Sequence, residues 1–179
     1  MRLSGGELRS RRIHVPSGQA MRPTPGRVRE ALFSILGERV RDARVLDLYA
    51  GSGAIGFEAL SRGAAHVTFV EAHRIAALRI RALAGELGVA GRSLVVTAPV
   101  ERATRVVVGP FDIVYADPPF ALPPPAEAFA TLRERGAVSD ASTIVYEHRA
   151  RGPANVAGMR SMRTARYGEV ALEFLAYDA

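Results

Sequence analysis

The sequence predicts an α/β protein in three layers, with a mostly parallel sheet that ends in an antiparallel hairpin. Three observations predict this class. Short apolar runs alternate with helical patterns, a glycine-rich turn joins the first run to a helix, and two strand-like segments meet at Gly168 near the end. Alternating strands and helices are typical of a parallel sheet with helices on both faces.

The first forty residues are predicted to form a basic amino-terminal extension. Residues 7–15 fit a small hairpin or an arm. A helix should follow, because Thr24 is a good N-cap and Pro25 suits the first helical position. Its apolar stripe consists of Val28, Ala31, Leu32, Ile35 and Leu36. We therefore divide the chain into a basic arm and helix, residues 1–40, and an α/β domain, residues 41–179.

Seven strands and four further helices are predicted beyond this point. The strands cover residues 45–48, 66–70, 94–97, 111–116, 143–147, 159–167 and 170–177. The helices cover residues 57–62, a segment after Glu71 up to about residue 87, a short segment from residue 100, and residues 125–135. Gly168 permits the tight turn of the closing hairpin.

The charge is concentrated at the amino terminus. All 24 basic residues are arginine, and the formal net charge is +6. Within residues 1–44 ten arginines stand against four acidic residues, whereas the rest of the chain is balanced. A segregated basic segment is typical of proteins that contact a polyanion. A solvated tail is the alternative interpretation.

Composition excludes several other classes. With 179 residues the chain can build one sizeable core, and the absence of cysteine excludes disulfides and thiolate metal sites. The four histidines are scattered and have no metal-ligand spacing. No apolar run approaches the roughly 18 residues of a membrane span, and no secretory signal is visible. We expect a cytoplasmic, monomeric protein that needs no metal.

A ligand site is predicted where the first two strands end. Gly51, Gly53 and Gly56 spell a nucleotide-binding pattern, G-x-G-x-x-G, and Glu71 follows the second strand at the usual place of a ribose-binding acid. Both nicotinamide and S-adenosylmethionine enzymes use this layout. Asp47 would repel a pyrophosphate and suits a cationic ligand better. Asp47 as a cap of the loop, and Glu71 as a solvated acid, are the alternatives.

The tetrapeptide Asp117-Pro118-Pro119-Phe120 is the second candidate site. Two prolines stop the preceding strand and stiffen the backbone, so a carboxylate, uncapped carbonyls and an aromatic ring are held at the sheet edge. Acceptors beside a flat ring suit a planar base that carries an NH2 group. A plain turn at Asp117 and core packing of Phe120 are the alternatives.

These residues resemble the Rossmann-like methyltransferases that act on exocyclic amines, whose catalytic motif is (D/N/S)-P-P-(Y/F/W). Residues 21–36 resemble the amino-terminal signature of the bacterial family that methylates a guanine N2 amine in small-subunit ribosomal RNA. The resemblance implies a Rossmann-like fold with S-adenosylmethionine as cofactor. It assigns catalysis to Asp117, Pro118, Pro119 and Phe120.

The resemblance also implies the remaining site residues. The expected cofactor contacts are Asp47, Tyr49, Gly51, Gly53, Glu71, Ala98 and Val100, with core packing as the alternative for Tyr49. The chain departs from the family pattern at Pro99, where relatives often carry an acidic or amide residue, so Ala98 and Val100 are expected to hold the adenine by backbone and apolar contacts. The expected RNA contacts are Arg22, Thr24 and Arg27 within the matched signature, and Arg9, Arg11 and Arg12, which are inferred from the charge of the basic segment. For Arg22, Arg27 and also Arg29, a solvated surface position is the alternative.

The expected reaction is direct in-line methyl transfer. Asp117 and the Pro118 carbonyl would accept the two amine hydrogens while Phe120 stacks on a base taken out of its helix. A ribosomal RNA guanine-N2 methyltransferase, working on a partly assembled small subunit, is the first hypothesis. An amine methyltransferase for adenine, a protein glutamine or a small molecule is the second, an inactive RNA-binding fold the third, and a nicotinamide enzyme a distant fourth.

Overall fold

The computed structural model describes residues 1–13, 25–152 and 154–178. Its strands are β1 Arg44–Leu48, β2 His66–Val70, β3 Ser93–Val96, β4 Ile113–Ala116, β5 Thr143–Arg149, β6 Met159–Tyr167 and β7 Val170–Tyr177. Its helices are α1 Gly26–Leu36, α2 Ala54–Ser61, α3 Arg74–Glu86, α4 Val100–Ala103 and α5 Ala126–Glu134. The predicted order of elements is confirmed.

All seven strands form one sheet in the order β3-β2-β1-β4-β5-β7-β6. Strands β1 to β5 pair in parallel, whereas β7 runs antiparallel between β5 and β6. The closing hairpin turns at Gly168, which has φ 64°. The predicted mostly parallel sheet with a terminal antiparallel pair is therefore confirmed.

Helices cover both faces of the sheet, which makes three layers. Successive strand residues point to opposite faces, so Val45 packs with α1, α2 and α3, while Leu46 packs with α4 and α5. The same alternation separates Tyr115 from Val114 on β4. Each face thus has its own apolar core, and the carboxyl ends of β1, β2, β4 and β5 share one edge.

Residues 1–13 fold onto the α/β body. A bridge pairs Arg2 with Arg12, so the observed pairing begins at the amino terminus and not at residue 7. Leu3, Leu8 and Ile13 are buried in the core that also contains α1 and α2. This core is continuous across residue 40, so the division drawn there rests on charge and not on packing.

Helices α2 and α1 begin at other residues than the sequence predicts. Helix α2 begins at Ala54, three residues before the prediction, because Gly53 adopts a left-handed conformation and caps it directly. Pro25 is the N-cap of α1 and Gly26 its first residue, and Thr24 lies outside the described residues. In the part of the chain that the structure describes, no helix has the length and apolarity needed to cross a membrane.

Candidate functional site

The glycine loop connects β1 to α2 through left-handed backbone. Tyr49, Gly51 and Gly53 have φ of 59°, 56° and 76°. At Gly51 and Gly53 glycine adopts this conformation without the strain that a side chain brings, whereas Tyr49 adopts it despite its side chain. The loop borders a cleft of about 160 Å³ whose other wall is α3. Open space therefore lies directly beside the loop.

Gly56 has a different reason to be glycine. A Cβ at this position would lie 2.2 Å from the ring of Phe69 on β2. Since real atoms cannot approach so closely, Gly56 allows α2 to pack against the sheet. Of the three-glycine pattern, only Gly51 and Gly53 shape the loop, and Gly56 serves the core.

Asp47 is a buried carboxyl at the end of β1. Its Oδ2 accepts the backbone N–H of Gly56 at 3.0 Å, which is the capping contact weighed as an alternative in the sequence. Burial raises the pKa of Asp47 to about 7; the Gly56 hydrogen bond lowers it and the charge of Glu71 raises it. A buried acid in this state gains from a nearby cation, whereas a phosphate would add repulsion.

Glu71 holds two loops together. One of its oxygens accepts the N–H of Gly51 and the other accepts the N–H of His73, both at 2.7 Å. The carboxylate thus fixes the glycine loop against the end of β2. Each oxygen retains a second lone pair, so the predicted bonds to ribose hydroxyls are compatible with these contacts.

The remaining predicted cofactor residues, Tyr49, Ala98 and Val100, differ in how far they are buried. Tyr49 packs partly into the α5-side core, and burial followed by the charge of Glu101 raises the pKa of its hydroxyl to about 12. Val100 is buried with Ala103, so its side chain contacts the core and is not open to a ligand. Pro99 caps α4, and Ala98 before it stays half-buried.

The proline ledge follows β4, one position beyond Ala116. Asp117 is half-buried, Pro118 is buried, and Phe120 is 44% exposed, so core packing of this ring is excluded. Burial, then the charges of Glu147 and Asp47, raise the pKa of Asp117 to about 8. The ledge therefore holds a carboxyl whose charged form is disfavoured by burial and by two neighbouring acids, three residues before an accessible ring.

Two neighbours of the ledge were not predicted from the sequence. Glu147 is 3% exposed on β5, next in register to Asp117, and accepts a hydrogen bond from the Tyr115 hydroxyl. Arg149 places its guanidinium 4.7 Å from the centre of the Phe120 ring. An acid at a strand end, the signal used for Glu71, was also present at Glu147, but only the register shows that it adjoins Asp117.

The arrangement favours a cationic cofactor and an amine. Asp47, Asp117 and Glu147 lie at the ends of three neighbouring strands, and the charges of Glu147 and Asp47 raise the cost of ionising Asp117. A sulfonium or ammonium group would relieve that repulsion. The carboxyl set therefore fits S-adenosylmethionine and opposes a dinucleotide's pyrophosphate.

The structure describes four of the six residues that are predicted to contact RNA. Arg9, Arg11, Arg12 and Arg27 are exposed, and Arg11 donates to the Glu86 carbonyl at 3.0 Å. Arg22 and Thr24 lie outside the described residues. Arg29 is not at the surface: it is buried and pairs with Glu58 at 3.2 Å, so it has a structural role.

Comparisons with known proteins find a matching family and curated relatives. The family model described as "Conserved hypothetical protein 95" matches residues 1–176. Ribosomal RNA small subunit methyltransferase D of Escherichia coli (strain K12) is 37% identical over 147 residues, which are 82% of this chain and 74% of that protein.

Solved structures share the fold. The structure of yhhF from Escherichia coli superposes with a TM-score of 0.87 at 35% identity and covers 100% of this chain and 98% of its own. An RNA methyltransferase from Salinibacter ruber, in complex with S-adenosyl-L-homocysteine, has a TM-score of 0.66 at 17% identity, over 88% of this chain and 95% of that one. At that identity the likeness shows a common Rossmann-like architecture.

Proposed function

The chain belongs to the family described as conserved hypothetical protein 95, with ribosomal RNA small-subunit methyltransferases among its relatives, and on this premise we propose that it methylates the exocyclic N2 amine of a specific guanine in that RNA. The coarser activity is S-adenosylmethionine-dependent methylation of ribosomal RNA. The finer proposal adds the N2 position and an assembled or partly assembled subunit as substrate.

One observation carries the proposal. Asp117 directly follows β4, the strand next to β1, beside two further carboxyls and an exposed aromatic ring, at the same sheet edge as the glycine loop. An acceptor for an amine and a site for a cation are thus neighbours. Methyl transfer from a sulfonium to an amine needs both groups at close range and in line.

The cofactor is S-adenosylmethionine, which supplies the methyl group on a cationic sulfur. Asp47, Glu71 and the Gly51–Gly53 loop are the residues proposed to hold it. Their chemistry fits: Asp47 gains from a positive charge, Glu71 can accept ribose hydroxyls, and the loop exposes backbone at left-handed positions. With Val100 in the core, the adenine contact is proposed for Ala98 and backbone groups near Pro99.

Asp117 and the Pro118 carbonyl are proposed to accept the two hydrogens of the target amine. A guanine amine is a poor nucleophile because its lone pair is delocalised into the ring. Two acceptors hold the amine in one orientation, and the Asp117 carboxylate can take the proton that becomes acidic as the bond forms. Because the pKa of Asp117 is about 8, a bound cation helps this carboxyl to ionise at neutral pH.

Phe120 is proposed as the stacking platform of the target base. Its exposed ring lies three residues from Asp117, and base–aromatic stacking contributes about 1–3 kcal/mol. A base inside a helix could not reach both groups. The enzyme is therefore expected to act on a loop or an extruded nucleotide.

The amino-terminal arginines are proposed to contact RNA phosphates. Arg9, Arg12 and Arg27 are exposed, as phosphate contacts must be. Deleting residues 1–20 is a poor test of this role, because it would also remove Leu3, Leu8 and Ile13 from the core. Substitution of the exposed arginines leaves that core intact.

Mass mapping of small-subunit ribosomal RNA tests the proposal directly. RNA from cells with and without the gene should differ by one methyl group on one guanine, placed on N2 by nucleoside analysis. Purified protein should transfer tritiated methyl to the RNA or the subunit particle from the deficient cells. Loss of a methyl from adenine would identify an adenine methyltransferase instead, and no change in any RNA would refute the RNA substrate.

Naked RNA and partly assembled particles should be compared in the same assay. Proteins of the subunit can hold the target loop open, so the particle is expected to be the better substrate. Equal or faster methylation of naked RNA would contradict the subunit part of the proposal and leave the rest intact.

A further inference from the structure

Arg149 is the last residue of β5, at the same sheet edge as the proline ledge. Its backbone is fixed by pairing with Val170 on β7. The side chain is exposed, and its guanidinium lies 4.7 Å from the centre of the Phe120 ring. The residue is therefore anchored at its backbone, and its charged end lies at the surface.

The guanidinium lies over the Phe120 ring, on which the target base is proposed to stack. It is planar and stacks on aromatic faces much as a base does. Phe120 is still 44% exposed, and Leu122 beside it is 47% exposed, so the ledge presents an apolar rim to solvent. In the free protein Arg149 thus covers part of a platform that the proposed reaction requires to be clear.

We propose that Arg149 is a substrate-binding residue that leaves the Phe120 ring when the target base stacks there and then binds the phosphate of that nucleotide or its neighbour. The inference rests on the proposed function. It adds a residue outside the amino-terminal segment to the RNA-binding surface.

The exchange is favourable on both sides. An exposed cation–π contact is weak, and base stacking on the same ring is stronger, so the base displaces the guanidinium. A nucleotide that enters the site brings its own phosphate to the rim. The released guanidinium presents a rigid fork of N–H donors that matches a phosphate in two parallel hydrogen bonds.

The position of Arg149 favours a phosphate over a base edge. Asp117 and Pro118 at the inner side of the ledge are assigned to the amine of the base. Arg149 lies over the exposed ring, and Arg151, also exposed, follows it two residues later. The inner site is acidic and its rim at this point is basic, which suits a polyanion whose base enters and whose backbone stays outside.

Substitution of Arg149 tests the inference in methyl-transfer assays with subunit particles or RNA. Arg149→Ala should raise KM for the RNA substrate roughly tenfold, the size of one charge-assisted contact, and should change kcat less. The dependence of log affinity on log salt should flatten by about 0.7, the value for one phosphate on single-stranded RNA. Arg166→Ala on β6 removes the same charge without touching Phe120 and should change both quantities less.

The Arg149→Ala substitution should also be made in the Phe120→Leu variant, to distinguish phosphate binding by Arg149 from support of the Phe120 ring. In Phe120→Leu the cation–π contact is gone, so Arg149→Ala should still raise KM and still flatten the salt dependence if Arg149 binds phosphate. If Arg149 only holds Phe120 in place, its substitution should have no further effect in that background, and the inference would be overturned.

Control measurements distinguish a failure of the proposed Arg149 role from a failure of the proposed methyltransferase function. S-adenosylmethionine affinity by calorimetry should be the same for wild type, Arg149→Ala and Arg166→Ala. If wild type methylates no RNA, the proposed function fails. If wild type is active and Arg149→Ala equals Arg166→Ala in KM and salt dependence, only the role of Arg149 is rejected.

Discussion

Asp117 carries most of the proposed chemistry at the scale of single residues. Its half-buried position beside Glu147 and Asp47 disfavours the charged carboxylate. The proposed reaction, however, needs that carboxylate as a hydrogen-bond and proton acceptor. Active sites often tolerate such conflicts because the substrate complex resolves them. Here the positive charge of the cofactor is the group that can do so.

Asp117→Ala should abolish methyl transfer and leave S-adenosylmethionine binding largely intact, because this residue is assigned to the amine and not to the cofactor. Phe120→Ala should weaken RNA binding by about 1–3 kcal/mol, which is less severe. A tritiated-methyl assay with calorimetry measures both effects. Asp140→Ala, an exposed acid paired with Arg133, is the matched control. Near-normal turnover in Asp117→Ala would rule out the ledge as the catalytic site.

Asp117 should also make the folded protein less stable as pH rises. The pKa is 3.8 in the unfolded chain and about 8 in the fold, so between these values only the folded state keeps the proton. Stability then falls by at most about 1.4 kcal/mol per pH unit for this group. Asp117→Asn removes the effect, so urea unfolding at pH 5 and pH 8 should show the variant gaining on wild type at the higher pH. A constant difference between the two proteins would contradict the raised pKa.

At the scale of elements, α2 connects the first residues of the chain to α1 through the side chain of Glu58. Glu58 on α2 is fully buried and accepts hydrogen bonds from Ser4 and Gly5, and it pairs with Arg29 and Arg62. Burial opposes its ionisation, but the bonds from Ser4 and Arg62 outweigh burial and lower its pKa. One carboxylate therefore joins the first residues of the chain, α1 and α2.

Glu58→Gln should destabilise the protein by about 3–5 kcal/mol, because it leaves the buried Arg29 without its charged partner. The control is Glu38→Gln, which breaks an exposed pair with Arg41 whose side chains are 90% and 72% exposed. That change should cost less than about 1 kcal/mol. Urea unfolding measures both, and equal effects would show that the buried network is not a stabilising link.

Two glycines in helices give a second test of packing. Gly56→Ala on α2 places a Cβ 2.2 Å from the Phe69 ring and should destabilise by several kcal/mol or prevent folding, since overpacking of this kind forces the helix off the sheet. Gly85→Ala on α3 meets no atom within 4 Å and should stabilise by about 1 kcal/mol. Thermal unfolding of both variants measures these changes in stability. If Gly56→Ala leaves the stability unchanged, α2 packs against the sheet more loosely than the structure indicates.

At the scale of the whole molecule, acidic and basic residues are concentrated in different parts of the chain. The carboxyl ends of the strands carry the acidic candidate site, while the formal excess of +6 belongs to residues 1–44, the first quarter of the sequence. The phosphates of a polyanion would be attracted to the basic part and repelled by the acidic one, which only the uncharged base is proposed to enter. This separation lets RNA affinity change without change in cofactor affinity.

Replacement of Arg9, Arg12 and Arg27 by Gln should therefore weaken binding of the RNA or subunit particle and flatten its salt dependence by about 0.7 per lost phosphate contact. Calorimetric affinity for S-adenosylmethionine should not change. A variant with three exposed β6 arginines replaced, Arg160, Arg163 and Arg166, matches the loss of charge. Equal loss of RNA binding in both variants would mean that only net charge matters and that no RNA surface is located at the amino terminus.

The sequence by itself determined the order of elements, the parallel sheet with its closing hairpin and the two loops of the site. These features depend on local signals: apolar periodicity, positive-φ glycines at 51 and 53, and two prolines that must end a strand. Such signals act within a few residues, so they can be recognised without the fold. The same locality explains why the strands at 159–167 and 170–177 were predicted to the residue.

Only the tertiary structure decided what depends on neighbours distant in the chain. Glu147 adjoins Asp117 through the register of β4 and β5, Arg149 covers Phe120, and Gly56 is required by a ring on β2. Arg29 has the sequence context of a surface residue, yet it is buried because Glu58 lies opposite it. Burial, pKa and contact are properties of pairs brought together by the sheet, and a pattern along one strand cannot contain them.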